Sequence, residues 1–554
     1  MKRKPINSFR PYIVAVSIAL CSWFFIAFDD SDDFVLAKNL DIYHTLIREL
    51  RLYYVDEINT NKVFETSIDE MLKTLDPYTI YYPESEIEDF RLITTGQYGG
   101  IGALMRTSSN EIVIEEIYQN YPADKAGFKP GDIIKRVGDQ DANSSKYDDI
   151  SILMKGAPDT DIEISVYRPT TNQTITKTIK RERIRLENVP YFGMLENSVG
   201  YIKLTGFTQT AYTELRDAYH AVRNQNATSL ILDLRDNPGG LLEEAVKIVG
   251  IFVEKGTNIV STRGKMKQWN QAFNSPNTPL DLKIPIVVLV NRNSASASEI
   301  VAGALQDLDR AVIIGERTYG KGLVQRTRDL SYNAKLKVTT AKYYIPSGRC
   351  IQALDYSHRN PDGSVGYVPD SLITEFKTSR GRKVYDGGGV SPDLKLEEEI
   401  PSTIAQQLLE DLVIFDYATL YASKHDSIGN VSTFALTDQD YNRFIEYALS
   451  RKIEYKTNTE VALEKLIESA KKEKYYEMAN KEILELKKRL KQGVKEDMLY
   501  FKKSIKRMLE TEIIKRYYYQ KGSIQFELSQ NKGLIKAIDI LSKQSDYHNI
   551  LQVH

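Results

Sequence analysis

The sequence predicts a multidomain α/β chain. It divides into a helical segment over 34–95, a β-rich domain over 96–185, an α/β core over 186–395 and a helical C-terminal domain over 396–554. Three observations carry this expectation. A chain of 554 residues is too long for one hydrophobic core. Its middle alternates short β-branched and aliphatic runs with helical periodicity and glycine-rich turns, the pattern of strands buried between helices. Beyond Glu397, Lys and Glu crowd long segments such as Glu460–Lys491, where Val461, Leu463, Leu466 and Ile467 leave only a narrow apolar stripe.

At the start, Lys2, Arg3, Lys4 and Arg10 precede an uncharged apolar run, Tyr12–Phe28, closed by Asp29, Asp30, Asp32 and Asp33. Residues 1–10 read as a cytoplasmic basic tail and 11–28 as a transmembrane anchor or signal segment, with the body exported. The run is near the lower limit for a spanning helix, lacks a small-x-small cleavage site, and has Leu20 before Cys21; an uncleaved anchor fits best. Cys21 and Cys350 cannot form a disulfide framework. A net charge of −1 and a pI near 6.7 give no basic field for nucleic acid.

From Val35 to Thr95, Leu40, Tyr43, Leu46, Ile47 and Leu50 recur at helical spacing until Leu75-Asp-Pro-Tyr-Thr-Ile-Tyr-Tyr-Pro83 interrupts. Gly99-Gly-Ile-Gly-Ala103 then opens the β-rich domain. Strands follow at Ile112–Ile117, Asp132–Val137 and Ile162–Tyr167, with a helix at Tyr147–Met154. The core begins near Asn188 with a strand at Val199–Leu204, a helix at Thr213–Val222 and a buried strand at Leu230–Leu234. That strand ends in Arg235-Asp-Asn-Pro-Gly-Gly240 before a helix at Leu241–Val253. Strand, glycine pair and helix put N–H groups at a positive helix end, which suits a developing oxyanion; a tight turn needing glycine is the plainer account. Asp233 and Asp236 read as turn and structural residues.

The segment 284–325, IPIVVLVNRNSASASEIVAGALQDLDRAVIIGERTYGKGLVQ, holds the chemistry. A buried strand, Pro285–Val290, leads through a serine-rich turn into a helix with Ile300, Val301, Ala304, Leu305 and Leu308 on one side. A second strand, Ala311–Ile314, leads into the loop Gly315–Gly322. Gly315 to Lys321 fits the first seven positions of a phosphate-binding G-x-x-x-x-G-K. Gly322 stands where a magnesium-binding hydroxyl belongs, and no helix pattern follows. The loop instead reads as the carrier of a lysine general base for a serine hydrolase, a role that needs desolvation to keep the amine neutral. None of the six histidines, His44, His220, His358, His425, His548 and His554, lies in a motif-like setting.

Asn291-Arg-Asn-Ser-Ala-Ser-Ala-Ser-Glu-Ile300 with Gly315-Glu-Arg-Thr-Tyr-Gly-Lys-Gly-Leu-Val-Gln325 resembles the carboxyl-terminal processing, or tail-specific, proteases of peptidase family S41. Tyr54-Val-Asp-Glu, Leu75-Asp-Pro-Tyr and Tyr-Tyr-x-Pro-Ser-Gly-Arg349 extend the likeness. The resemblance implies a crotonase/ClpP-like core and a Ser/Lys dyad: Ser296 as nucleophile, Lys321 as base, Gln325 in support. It alone selects Ser296, since Ser294 and Ser298 suit the turn equally well as caps. It implies an oxyanion hole from the amide of Ala297 and from Gly239, with Gly240 beside it. GGIGA followed by Ala126-Gly-Phe-Lys-Pro-Gly-Asp132 is similar to a PDZ domain. That implies capture of a chain-end carboxylate by the N–H groups of Ile101, Gly102 and Ala103, with a pocket drawn from Ile101, Ile150 and Leu153. Where regulated relatives carry Arg-Gly, this chain has Lys155-Gly156; lysine keeps the charge without the guanidinium fork.

The expected function is a serine endopeptidase of the bacterial periplasm or cell envelope, held at the inner membrane by its N-terminal helix. It would cleave exported proteins with apolar C-terminal tails and use neither metal nor organic cofactor. A homo-oligomer and adaptor proteins are admissible partners. The alternative is a catalytically silent exported PDZ scaffold; an esterase fits less well, because small esters need no tail docking. Residues 352–388 read as an inserted loop or lid, and Tyr517–Tyr519 as a helix end before Gly522.

Overall fold

The computed structural model describes residues 30–360, 362–397, 400–490, 493–529 and 531–552. The anchor expected over 11–28 lies outside them. Among the described residues, no helix is long and apolar enough to cross a membrane. The chain forms two compact units, divided between Tyr81 and Tyr82.

In the first unit, helices Asp30–Tyr53 and Thr60–Lys73 flank a short connection in which the Asn59 side chain accepts the Lys62 N–H at 3.1 Å. The hydroxyls of Tyr43 and Ser67 lie 2.5 Å apart, tying the helices together. The expected helical run stops at Asp76, whose Oδ1 accepts from the N–H groups of Tyr78 and Thr79, both at 2.8 Å.

The second unit opens with a helix, Ile87–Thr95, and the β-rich domain. There, strands Ala103–Ser108, Glu111–Ile117, Ile133–Val137, Asp161–Arg168 and Gln173–Lys180 pair antiparallel in that order. The helix Tyr147–Met154 packs Ile150 into a core with Ile112, Ile114, Ile134 and Ile164. Strand Gln97–Gly100 pairs with Glu182–Arg185, fastening the domain's entry to its exit.

The core is a six-stranded sheet ordered Tyr191–Met194, Val199–Lys203, Ser229–Asp233, Ile286–Val290, Val312–Gly315 and Leu394–Lys395. It is parallel except for its first pair. Its strands read as unbroken apolar runs because both faces are covered. Ile202, Leu230, Leu232, Ile286, Val288 and Ile313 face the helices Ala211–Asn224, Leu242–Val249 and Ala297–Asp307. The alternate positions, Tyr201, Ile231, Val287, Leu289 and Ile314, pack against Leu534, Ala537, Ile540 and Tyr547. These belong to the last two helices, Lys532–Ser542 and Gln544–Ile550, which cross back to cover the sheet. The helix expected to reach Val253 stops at Val249, and Gly250 follows with no room for a Cβ beside Ser275 Oγ, 2.6 Å from where one would stand.

A second, antiparallel sheet carries Asn258–Gly264, Gln271–Asn274, Leu323–Asp329 and Lys335–Tyr344. The sequence reads as two strands here, Lys335–Thr340 and Lys342–Ile345, whereas Lys335–Tyr344 is one strand whose register shifts opposite Val324 and Gln325. Within 352–388, Leu354–Arg359 pairs with Val365–Tyr367 and Glu375–Lys377 with Lys383–Tyr385, both antiparallel. They are rooted at the far end of the helix Ala297–Asp307. Buried Arg349 bonds Gln306 and Asp307 there, both at 2.8 Å, and Arg382 bonds Asp309 at 2.6 Å.

The other C-terminal helices steady the β-rich domain. Leu412 and Phe415 pack on Val113, Lys515 pairs with Glu116 at 2.7 Å, and the Tyr519 hydroxyl donates to Asp124 at 3.0 Å. The helix expected to end at Tyr517–Tyr519 does so: within Lys502–Leu528, Tyr519, at φ 54° and ψ −160°, breaks the helical geometry and kinks the run into two helices.

Candidate active site

In a parallel sheet, sites form beyond the carboxyl ends of the strands. Here the turn after Ser229–Asp233 and the serine turn after Ile286–Val290 meet. Buried Asn291 joins them: its Oδ1 accepts the Asp236 N–H at 3.0 Å and its Nδ2 donates to Asp236 Oδ1 at 2.9 Å. The Ser294 hydroxyl accepts the Asn291 N–H and donates to Leu234 O, both at 2.9 Å; the Ser298 hydroxyl donates to Asn237 O at 2.9 Å. Both serines are fully buried and engaged with the turns.

Ser296 is different. It precedes the helix Ala297–Asp307 with φ 55° and ψ −113°, and it is the only residue from Ser294 to Ile300 that is not buried. A non-glycine residue at that φ is strained, and such strain persists where the surroundings over-determine it. The surroundings are visible. The Ser296 N–H donates to Glu299 Oε2 at 2.8 Å, and a Cβ on Gly239 would stand 2.8 Å from Ser296 Cβ.

Glu299 also organises the lysine loop. The same Oε2 accepts the backbone N–H of Lys321 at 2.9 Å. Its Oε1 accepts the Thr318 hydroxyl at 2.6 Å and the Gly320 N–H at 2.7 Å. Burial pushes the Glu299 carboxyl up to about 7, against the pull of these donors. A second bridge is Tyr343, whose hydroxyl lies 2.5 Å from Lys321 O and 3.1 Å from Ser296 O. Gln352 and its neighbour hold only the lysine loop: the Gln352 Oε1 accepts the Gly322 N–H at 2.7 Å, and the Ala353 N–H donates to Gly320 O at 2.9 Å. Glu299, Tyr343 and Gln352 escape a reading of the sequence by motif role. For Glu299 a signal exists: Ser296-Ala-Ser-Glu299 is the Ser-x-x-Glu of a capping box, in which the glutamate accepts the N-cap N–H.

The other expected residues fall as follows. Gln325 lies on Leu323–Asp329 and its Nε2 donates to Thr339 Oγ1 at 3.1 Å. The Ala297 N–H, first in its helix, has no acceptor among the described residues. The Gly239 N–H donates to Asn237 Oδ1 at 2.9 Å, whereas Gly240 is exposed. Although burial alone would raise it, Arg235 and Lys203 hold the Asp233 carboxyl below the usual carboxylate range; Asp233 is structural, as expected.

In the β-rich domain, Ile101 and Ile150 are buried in the core, with Leu153 packed at its margin. Gly102 has φ +79°, and a Cβ there would stand 2.5 Å from Tyr121 Cβ. Ala103 pairs with Ile117. The Lys155 ammonium pairs with Asp89 on the helix Ile87–Thr95. Among the described residues no cluster of side chains suits a metal ion.

A strained serine stands at a helix N-terminus, at the carboxyl end of a parallel sheet and tied to a glycine-lysine loop, an arrangement that suits a serine-type hydrolase. The pattern of peptidase family S41 matches residues 198–362, that of a PDZ domain 99–179, and that of a probable PDZ-protease C-terminal helical domain 404–541. The chain is similar to the carboxy-terminal-processing protease of Bartonella bacilliformis, 36% identical over 353 residues, 63% of this chain and 78% of that one. It is also similar to a probable CtpA-like serine protease of Staphylococcus aureus, 33% identical over 387 residues, 68% of this chain and 76% of that one. Among solved structures, the photosystem II D1 C-terminal processing protease has a TM-score of 0.35 and 26% identity, covering 63% of this chain and 91% of its own. The chain belongs to the carboxy-terminal-processing proteases of peptidase family S41, with a PDZ domain and a C-terminal helical domain.

Proposed function

We propose that the chain is an exported endopeptidase that captures protein C-termini with its PDZ domain and cuts nearby through Ser296 and Lys321. One observation carries this reading: a single carboxylate oxygen of Glu299 accepts the backbone N–H groups of both residues, fixing the two loops against each other. Lys321, as a neutral amine, takes the Ser296 proton, and the alkoxide attacks the scissile carbonyl. The Ala297 N–H receives the oxyanion, with Gly240 as its partner while the Gly239 N–H is committed to Asn237. The lysinium protonates the leaving amine, and water releases the acyl-enzyme. Gln325 supports the site from the neighbouring strand.

The tail's carboxylate is taken by the Ile101–Ala103 loop and its last side chain beside Ile150 and Leu153. Lys155, paired with Asp89, links that docking to the helix Ile87–Thr95 as the sensor. The basic residues before the apolar run 11–28 support export and anchoring. The test is to incubate a protein with an apolar C-terminus with wild type, Ser296→Ala and Lys321→Ala, and to follow its mass. Truncated product from wild type alone is expected. Normal cleavage by Lys321→Ala would refute the dyad, and intact substrate with undiminished tail binding in wild type would favour a silent scaffold.

A further inference from the structure

The strand Ala103–Ser108 is the outer strand of its sheet, and among the described residues Glu111–Ile117 is its one strand neighbour. Met105 stands opposite Ile114, whose N–H donates the other way, to Asp132 O at 2.9 Å. The pair therefore exchanges no hydrogen bonds. Its members alternate with bonded pairs, so the N–H and C=O of Met105 point out from the open edge. The carbonyl is already occupied: the hydroxyl of Tyr147, first residue of the helix Tyr147–Met154, donates to Met105 O at 3.0 Å. Helix and open edge are thus joined by a side chain across the space between them.

An extended tail that adds to this edge must bond its carbonyls with peptide N–H groups. At Met105 it meets a competitor. We infer that Tyr147 is the gate of the tail groove: its hydroxyl closes the edge in the tail-free protein, and a chain end enters by displacing it from Met105 O. The inference rests on the PDZ tail-capture reading above. The ring of Tyr147 packs on the domain core. Removing only the hydroxyl leaves that packing and frees the carbonyl.

The test uses the full chain carrying Ser296→Ala, so that the probe is not cut, and a fluorescent peptide of alanines ending in leucine. Such a tail has no side chain for the displaced hydroxyl to bond. Adding Tyr147→Phe should tighten binding by about three- to tenfold, the worth of one neutral hydrogen bond no longer broken on docking. Equal or weaker binding would overturn the gate. If Tyr147→Phe lowers the melting temperature, Tyr147→Leu is measured as well, and a gate requires the same tightening there. The amidated peptide separates the two readings. If it binds wild type as well as the free acid does, carboxylate capture fails and the gate falls with it. If the free acid is preferred but Tyr147→Phe brings no gain, only the gate is lost.

Discussion

Ser296 and Lys321, 25 positions apart in sequence, donate their backbone N–H groups to one oxygen atom, Oε2 of Glu299, at 2.8 and 2.9 Å. A shared acceptor couples the position of one loop to the other. Any movement of the lysine loop must break a hydrogen bond to a buried carboxylate, a charge-assisted contact stronger than a neutral one.

Glu299→Gln should therefore lower kcat more than it raises KM. The amide's NH2 would face N–H donors it cannot accept from, and the two loops should part. A displacement of this kind costs about a hundredfold in rate. Steady-state kinetics on a tail-bearing substrate check this; an unchanged kcat would leave Glu299 as a mere fold residue.

The same carboxyl should shape the pH response. Burial raises it to about 7, whereas an unfolded glutamate titrates near ~4.3. Between those values the folded protein holds a proton that the unfolded chain has released, so stability falls as pH rises through the window and levels above it. Activity should move the opposite way, because only the ionised carboxylate accepts from all its donors. Denaturant titrations at several pH values should show a slope in wild type that is smaller in Glu299→Gln, and the acidic limb of kcat/KM should shift in the variant.

The three serines of the turn should separate cleanly. Ser296→Ala should abolish cleavage with little change in melting temperature. Ser294→Ala should destabilise by about 1–3 kcal/mol, because the buried Asn291 N–H loses the hydroxyl it donates to and the Leu234 carbonyl loses one of its two donors. Chemical denaturation beside a cleavage assay distinguishes the outcomes.

Tyr547→Phe tests whether the last helices belong to the protease core. The Ile286 N–H donates to the Tyr547 hydroxyl at 2.9 Å, directly on the strand that leads to Ser296. Removing the hydroxyl leaves that buried N–H unpaired. A loss of about 1–3 kcal/mol is expected in denaturant unfolding. A stability equal to wild type would mean that these helices cover the sheet without bonding it.

Much of this was legible in the chain. Unbroken runs such as Ile286–Val290 declared strands covered on both faces, and the helix Tyr147–Met154 lies where its periodicity put it. The tyrosine triplet marks a helix end in the sequence, and Tyr519 breaks the helical geometry there, its hydroxyl reaching Asp124. The single strand Lys335–Tyr344 was hidden by its register shift, which breaks the twofold alternation.

The sequence by itself determined the order of strands and helices, the glycine turns and the motif that carries family membership, because periodicity and local turn chemistry act between near neighbours. Only the tertiary structure decided that Ser294 and Ser298 are buried in the turns while Ser296 is not, that Glu299 and Tyr343 join two loops, and that the chain's end covers the core sheet. Those outcomes depend on hydrogen bonds and contacts between residues far apart in the chain, and no local pattern records them.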